Sequence, residues 1–171
     1  MPDGEAFHLR TTDRPATVRM ATAADEEPLF DLLFEMYGEN AIGGHPVSRD
    51  KVMAAIRKGT RQQGTFIGVI DGPDGRPAAS MALELTDYWY SDDWFLHERW
   101  LFVRGDSRHS RYDEALFRWA DGIRRDMGQR TGQRWEIVMA FWTPARLAAK
   151  LRLWGRYARQ VGGVFIMDGD R

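Results

Sequence analysis

With 171 residues, 43% of them apolar, the chain is long enough for one substantial core and short for two. It has no cysteine, which excludes disulfides, thiolate metal ligands and a cysteine nucleophile, and no apolar run is long enough to span a bilayer. The net charge of −1 conceals an asymmetry: residues 99–159 carry fourteen Lys/Arg against six Asp/Glu, and residues 1–98 carry nine against seventeen. A basic later half suits a phosphate-bearing ligand, nucleic acid or an acidic neighbouring chain, and no nucleic-acid motif accompanies it.

Residues 1–16 read as a flexible leader without the basic start and apolar centre of a secretory signal, so cytoplasmic residence is expected. Thr17 to Met20 alternates like a short strand. Thr22 and Asp25 have the spacing of a capping box, and Leu29, Leu32, Leu33 and Met36 then share a helical face up to about Tyr37. Gly38, Gly43, Gly44 and Pro46 mark a loop, and Ser48 caps a second helix with Val52 and Ile56 inward, stopping at Gly59. Gly64 to Ile70 and Ala78 to Leu85 form the arms of a hairpin around the turn-rich DGPDGRP. Thr86 to Trp94 is a polar and aromatic connection, and Phe95 to Val103 is a long central strand. Ser110 and Asp113 have capping-box spacing ahead of Tyr112, Leu116, Trp119, Ile123 and Met127, with Gly128 as the stop. Glu136 to Trp142 is a buried strand. Thr143-Pro144 starts a helix carrying Leu147, Leu151 and Trp154, and Val164 to Met167 is a closing strand.

The order β-α-α-β-β-β-α-β-α-β-β predicts an α/β (α+β layered) fold with a mixed sheet, in a single domain over residues 17–171. With a central strand running into a basic turn that opens a helix, this order resembles the GNAT superfamily of acyl-CoA-dependent N-acyltransferases. The resemblance rests on TVRMATAADEEPLFDLL, LHERWLFVRGDSRHSRYDEALFRWA and TPARLAAKLRLWGRYARQVGGVFIM. It implies a mostly antiparallel central sheet flanked by helices, acetyl-CoA as co-substrate and a primary amine of a small molecule or protein as acceptor.

In the family, a Gln/Arg-x-x-Gly-x-Gly/Ala loop lets backbone amides approach a pyrophosphate at a helix N-terminus. The matching positions are Arg108-His109-Ser110-Arg111-Tyr112-Asp113, where Arg108 fits the first position while Arg111 and Asp113 stand where small residues are expected. Arg108 and Arg111 can supply charge-assisted bonds instead, and Asp113 repels phosphate unless its carboxylate caps the helix. By the same resemblance Leu101, Phe102 and Val103 lie along the pantetheine arm. Their side chains alone read as core.

Amine acylation needs a base for the incoming ammonium. Glu98, mid-strand among apolar residues, occupies the place where the family often puts it. The structural alternative is an ion pair with Arg99 or another arginine. His97 points to the opposite face by the two-residue period and reads as a structural histidine. Trp154 stands where the family often carries an acidic Tyr. Tyr157 can take that role if the helix continues past Gly155, and otherwise packs at the helix end. No His, Asp or Glu spacing points to a metal, and Asp92-Asp93 reads as a solvated turn. Tyr88, Trp89, Tyr90 and Trp94 suit an acceptor pocket or, equally, a homodimer or assembly interface. The second functional reading is a GNAT-like module without catalysis, serving as a binding or structural component of a larger assembly such as a phage particle.

Overall fold

A computed structural model describes residues 16–40, 45–108, 110–140, 151–152 and 154–160. Five strands form one sheet in the order β1 (Arg19–Met20), β2 (Thr65–Asp71), β3 (Pro77–Asp87), β4 (Trp94–Val103) and β5 (Ile137–Val138). The first three pairings are antiparallel, and β4 pairs with β5 in parallel. This is the mixed, mostly antiparallel sheet expected from the sequence.

The helices are α1 (Glu26–Asn40), α2 (Arg49–Thr60) and α3 (Tyr112–Thr131). The sheet is buried on both faces, which explains the near-continuous apolar runs of β2 and β3. Ile67, Val69, Ala82, Trp100 and Phe102 pack under α1 and α2 with Leu29, Leu33 and Ile56. Ile70, Met81, Leu83 and Leu96 face α3 with Leu116 and Ala120. Gly68 is required at the α3 face: a Cβ there would stand 2.9 Å from both the Trp119 ring and Val18. At the centre of the sheet the buried Trp100 Nε1 donates to Ser80 Oγ at 3.1 Å.

Capping at Asp25 is as expected, though it closes a 3₁₀ turn (Ala23–Asp25) ahead of α1. The Asp25 carboxylate accepts the Thr22 N–H at 2.7 Å and the Arg19 guanidinium at 2.7 and 2.8 Å, and Arg19 also donates to Asp71 at 2.7 Å. Arg19 thus ties the start of α1 to the end of β2. Its hydrogen bonds hold the Asp25 carboxyl below the usual carboxylate range, outweighing burial. Because the folded-state pKa is depressed, this contribution is complete above the unfolded carboxylate range and is lost as pH falls through the folded value. Asp25→Asn is therefore expected to cost about 1–3 kcal/mol at pH 7. In urea titrations, the gap between wild type and variant should narrow steadily on acidification.

Several boundaries differ from the sequence expectation. Where the sequence predicts a buried strand from Glu136 to Trp142, β5 spans only Ile137–Val138 with Val138 exposed, and Phe141 and Trp142 lie outside the described residues. Gly38 lies inside α1, where it meets open space and is tolerated. The stop of α3 is Gly132, with φ of 68° and its N–H bonded to Gly128 O at 2.9 Å, so Gly128 is helical. α3 begins at Tyr112 with Arg111 as N-cap, one residue later than a Ser110 cap requires. The predicted helix from Thr143 is seen only at residues 151, 152 and 154. The leader, most of the Gly43-Gly44 loop and the closing strand at Val164 to Met167 lie outside the described residues.

Candidate functional site

The central feature of β4 is a register shift. Ala82 pairs with Trp100 and Leu83 pairs with Glu98, so Arg99 is an extra residue bulged out of the ladder. The bulge reverses the facing of the strand. Leu96 and Glu98 lie on the α3 face with their partners Leu85 and Leu83, whereas Trp100 and Phe102, in the same even-numbered series, turn to the α1–α2 face. Leu101 and Val103 take over on the α3 face.

Glu98 is thereby delivered into the apolar α3 face at 6% exposure, while Arg99 pairs with Glu84 at 3.2 Å. His97 stands opposite Glu84, on the other face from Glu98 as the two-residue period requires. Burial, with help from the Arg99 charge, pushes the imidazole below its ordinary range, so it is neutral at pH 7. Glu84 is pushed up by burial, but Lys58 at 2.6 Å and Arg99 outweigh that and hold it below the usual range.

β5 pairs with β4 only at Leu96 and His97, and among the described residues the edge from Glu98 to Val103 has no strand partner. The Arg104 N–H turns inward to Ala78 O at 2.8 Å. With a trans peptide, the Val103 carbonyl must then point outward to the open edge, where Arg108 Nε donates to it at 3.3 Å.

Beyond Val103, Gly105–Ser107 form a 3₁₀ turn. Arg104 braces it, bonding Asp106 at 3.0 Å and reaching Asp74 of the β2–β3 turn at 3.2 Å. Arg108 pairs with Glu39 near the end of α1, and its guanidinium carbon lies 5.8 Å from the Phe102 ring centre. Arg111 pairs with Glu114, which Arg118 also approaches at 3.6 Å. Ser110 Oγ accepts the Tyr112 N–H at 3.4 Å, and the Asp113 carboxylate accepts the Glu114 N–H at 2.8 Å. These two side chains therefore serve the first turn, but not as a reciprocal box. His109 lies outside the described residues.

The condition set on Tyr157 is not met. The helical stretch stops at Trp154, and residues 155–157 form a turn closed by Tyr157 N–H to Trp154 O at 2.9 Å. The Tyr157 ring stacks on Phe117 of α3 at 4.7 Å, and buried Trp154 meets the same ring edge-on at 5.6 Å. Among the described residues, no group of three or more His, Cys, Asp or Glu is arranged to hold a metal ion, and no helix is long and apolar enough to cross a membrane. Sequence reasoning missed Glu39 and Arg104. Neither lies in a motif, and their importance comes from partners on other elements.

No family model and no curated protein sequence matches the chain. Solved structures do match its fold. An acetyltransferase of Trypanosoma brucei has 18% identity over 89% of this chain and 98% of its own, with a TM-score of 0.61. AAC(6')-Iy in complex with the bisubstrate analog CoA-S-monomethyl-acetylneamine has 14% identity over 91% and 97%, at 0.64. A predicted acetyltransferase from Clostridium acetobutylicum with acetyl-CoA has 10% identity over 90% and 95%, at 0.63. Helices on both faces of the sheet, the parallel β4–β5 pair and these neighbours agree: the chain has the fold of the GNAT acetyltransferases.

Proposed function

We propose that the chain is an acetyl-CoA-dependent N-acetyltransferase acting on a primary amine, with Glu98 as the general base. The observation that carries this reading is the bulge at Arg99, which leaves a carboxylate at 6% exposure on the apolar face of β4, beside a strand edge with no described partner beyond His97. In this role Glu98 takes a proton from the incoming ammonium, directly or through water. The freed amine then attacks the thioester carbonyl, a C–N bond forms, the C–S bond breaks as the nitrogen gives up its second proton to solvent, and the thiolate leaves and takes a proton from solvent. Tyr157, stacked on Phe117, is assigned to packing and not to the acid step.

The residues of the loop fit a pyrophosphate through guanidinium groups more than through backbone amides. The Glu114 amide is already taken by Asp113, and the Tyr112 amide by Ser110. Arg108 and Arg111 must leave Glu39 and Glu114 to reach a ligand, and solvent-screened pairs of this kind open at little cost. Charge-assisted bonds to phosphate exceed that. Leu101, Phe102 and Val103 offer the edge of β4 to the amide-bearing arm.

Glu39 then competes with the ligand for Arg108. Glu39→Gln is expected to raise affinity for acetyl-CoA about two- to fivefold in calorimetric titrations, against saturable binding by the wild type. The second reading, a binding or structural module, is favoured by one specific feature: every described cation of the loop, and the Glu114 amide, already has a partner within the chain. On that reading neither protein gives heat with acetyl-CoA at millimolar concentration.

A further inference from the structure

The turn between β3 and β4 is the most conspicuous surface that the acyl-transfer reading leaves unused. Trp89 is 94% exposed, Tyr90 69% and Trp94 47%. Single exposed rings are ordinary on protein surfaces, but three within six residues form a patch. The patch is ordered. Tyr88 stacks on Phe95 at 4.4 Å, Tyr90 lies 5.4 Å from Tyr88, and Trp89 meets Tyr90 edge-on at 5.5 Å. The backbone is closed by Ser91 N–H to Tyr88 O at 3.2 Å and Tyr88 N–H to Asp93 O at 3.3 Å. Rings held in place before binding lose little entropy when a partner covers them.

The charge around these rings is negative in a chain whose later half is basic. Asp87, Asp92 and Asp93 lie within or beside the turn, and Glu136 reaches the Tyr88 hydroxyl at 3.4 Å. Asp87 and Asp92 have no ion pair among the described residues, and the cation found there, Arg134, is paired with Glu136 at 3.2 Å. The clefts lined by Glu35, Asp74 and Arg104 lie at the other end of β3 and β4. A small ligand needs a concave site, whereas projecting aromatic rings suit a macromolecular partner. Guanidinium groups stack on aromatic faces and fork onto carboxylates, so arginine matches this surface better than lysine.

We propose that the β3–β4 turn docks an arginine-bearing peptide segment of a partner protein, its guanidinium groups lying on Trp89, Tyr90 and Trp94 and pairing with the carboxylates beside them. This docking does not depend on acyl transfer at Glu98.

The test is a fluorescence-anisotropy titration of the full chain with a labelled eight-residue peptide of alternating Arg and Gly, in parallel with its Lys and Glu counterparts. The Arg peptide should bind best, the Lys peptide about threefold more weakly, and the Glu peptide not measurably. Trp89→Ala combined with Tyr90→Ala should weaken Arg-peptide binding about tenfold. These rings are solvent-exposed, so the thermal midpoint should not move, and Asp87→Asn gives an independent arm expected to lose about threefold. Unchanged affinity in the double variant, equal binding of the Glu peptide, or no binding at all would overturn the proposal. So would self-association in sedimentation that the double variant abolishes, since that assigns the surface to a second copy of the chain.

Discussion

Glu98→Gln is expected to lower the rate of acetyl transfer by about a hundredfold or more while leaving acetyl-CoA affinity within about twofold. Gln preserves the shape of the side chain and removes its capacity to accept a proton, so the loss should fall on turnover. Position within β4 makes the expectation specific. Glu98 lies on the α3 face, whereas His97 faces Glu84 on the other side of the sheet. His97→Asn should therefore change turnover by less than about threefold, although a neutral imidazole would otherwise be the more conventional base at pH 7. Steady-state kinetics on the two variants, with calorimetry for the thioester, separates the faces. An equal loss in both would place the chemistry elsewhere.

Deletion of Leu101 is expected to have the largest effect on stability, exceeding about 4 kcal/mol, enough to abolish cooperative folding in a marginally stable domain. If the bulge is kept, Phe102 must turn onto the α3 face; if it is given up, Trp100 turns there and Arg99 points under α1 and α2. Deletion of Arg99 removes only the extra residue and its half-exposed ion pair to Glu84, and leaves Glu98 and Trp100 on opposite faces as an unbroken ladder requires, so its cost should stay within about 2 kcal/mol. Urea unfolding of both proteins measures the difference. A Leu101 deletion as mild as the Arg99 deletion would show that the strand tolerates either register.

Most of the frame was legible in the amino-acid order because local chemistry and burial agree there. The hairpin around DGPDGRP, the capping spacing of Thr22 and Asp25, and the apolar stripe of α3 each state one local preference that the fold satisfies. The stops were less legible. Gly128 and Gly132 are four residues apart, and only the choice of which takes a positive φ decides where α3 ends. The bulge carries no glycine or proline to announce it. Strict alternation through FLHERWLFV would place Glu98 on one face with Trp100 and Phe102, and that incongruous carboxylate is the sole sequence sign that the strand changes phase. At the loop, the basic residues were plain but their state was not. Arg108 finds Glu39 from α1 and Arg104 finds Asp74 from the β2–β3 turn, partners fixed only once those elements come together. A sequence that reads as a basic patch is, folded, a set of ion pairs that a ligand must open.

The most direct measurement is release of free thiol from acetyl-CoA by the purified chain, followed with a chromogenic thiol reagent across a panel of primary amines. An N-acetyltransferase predicts thiol release that requires an amine, saturates with acetyl-CoA and yields one acetylated amine per thiol. Release no faster with amine than without it, across the panel and at millimolar acetyl-CoA, would contradict it.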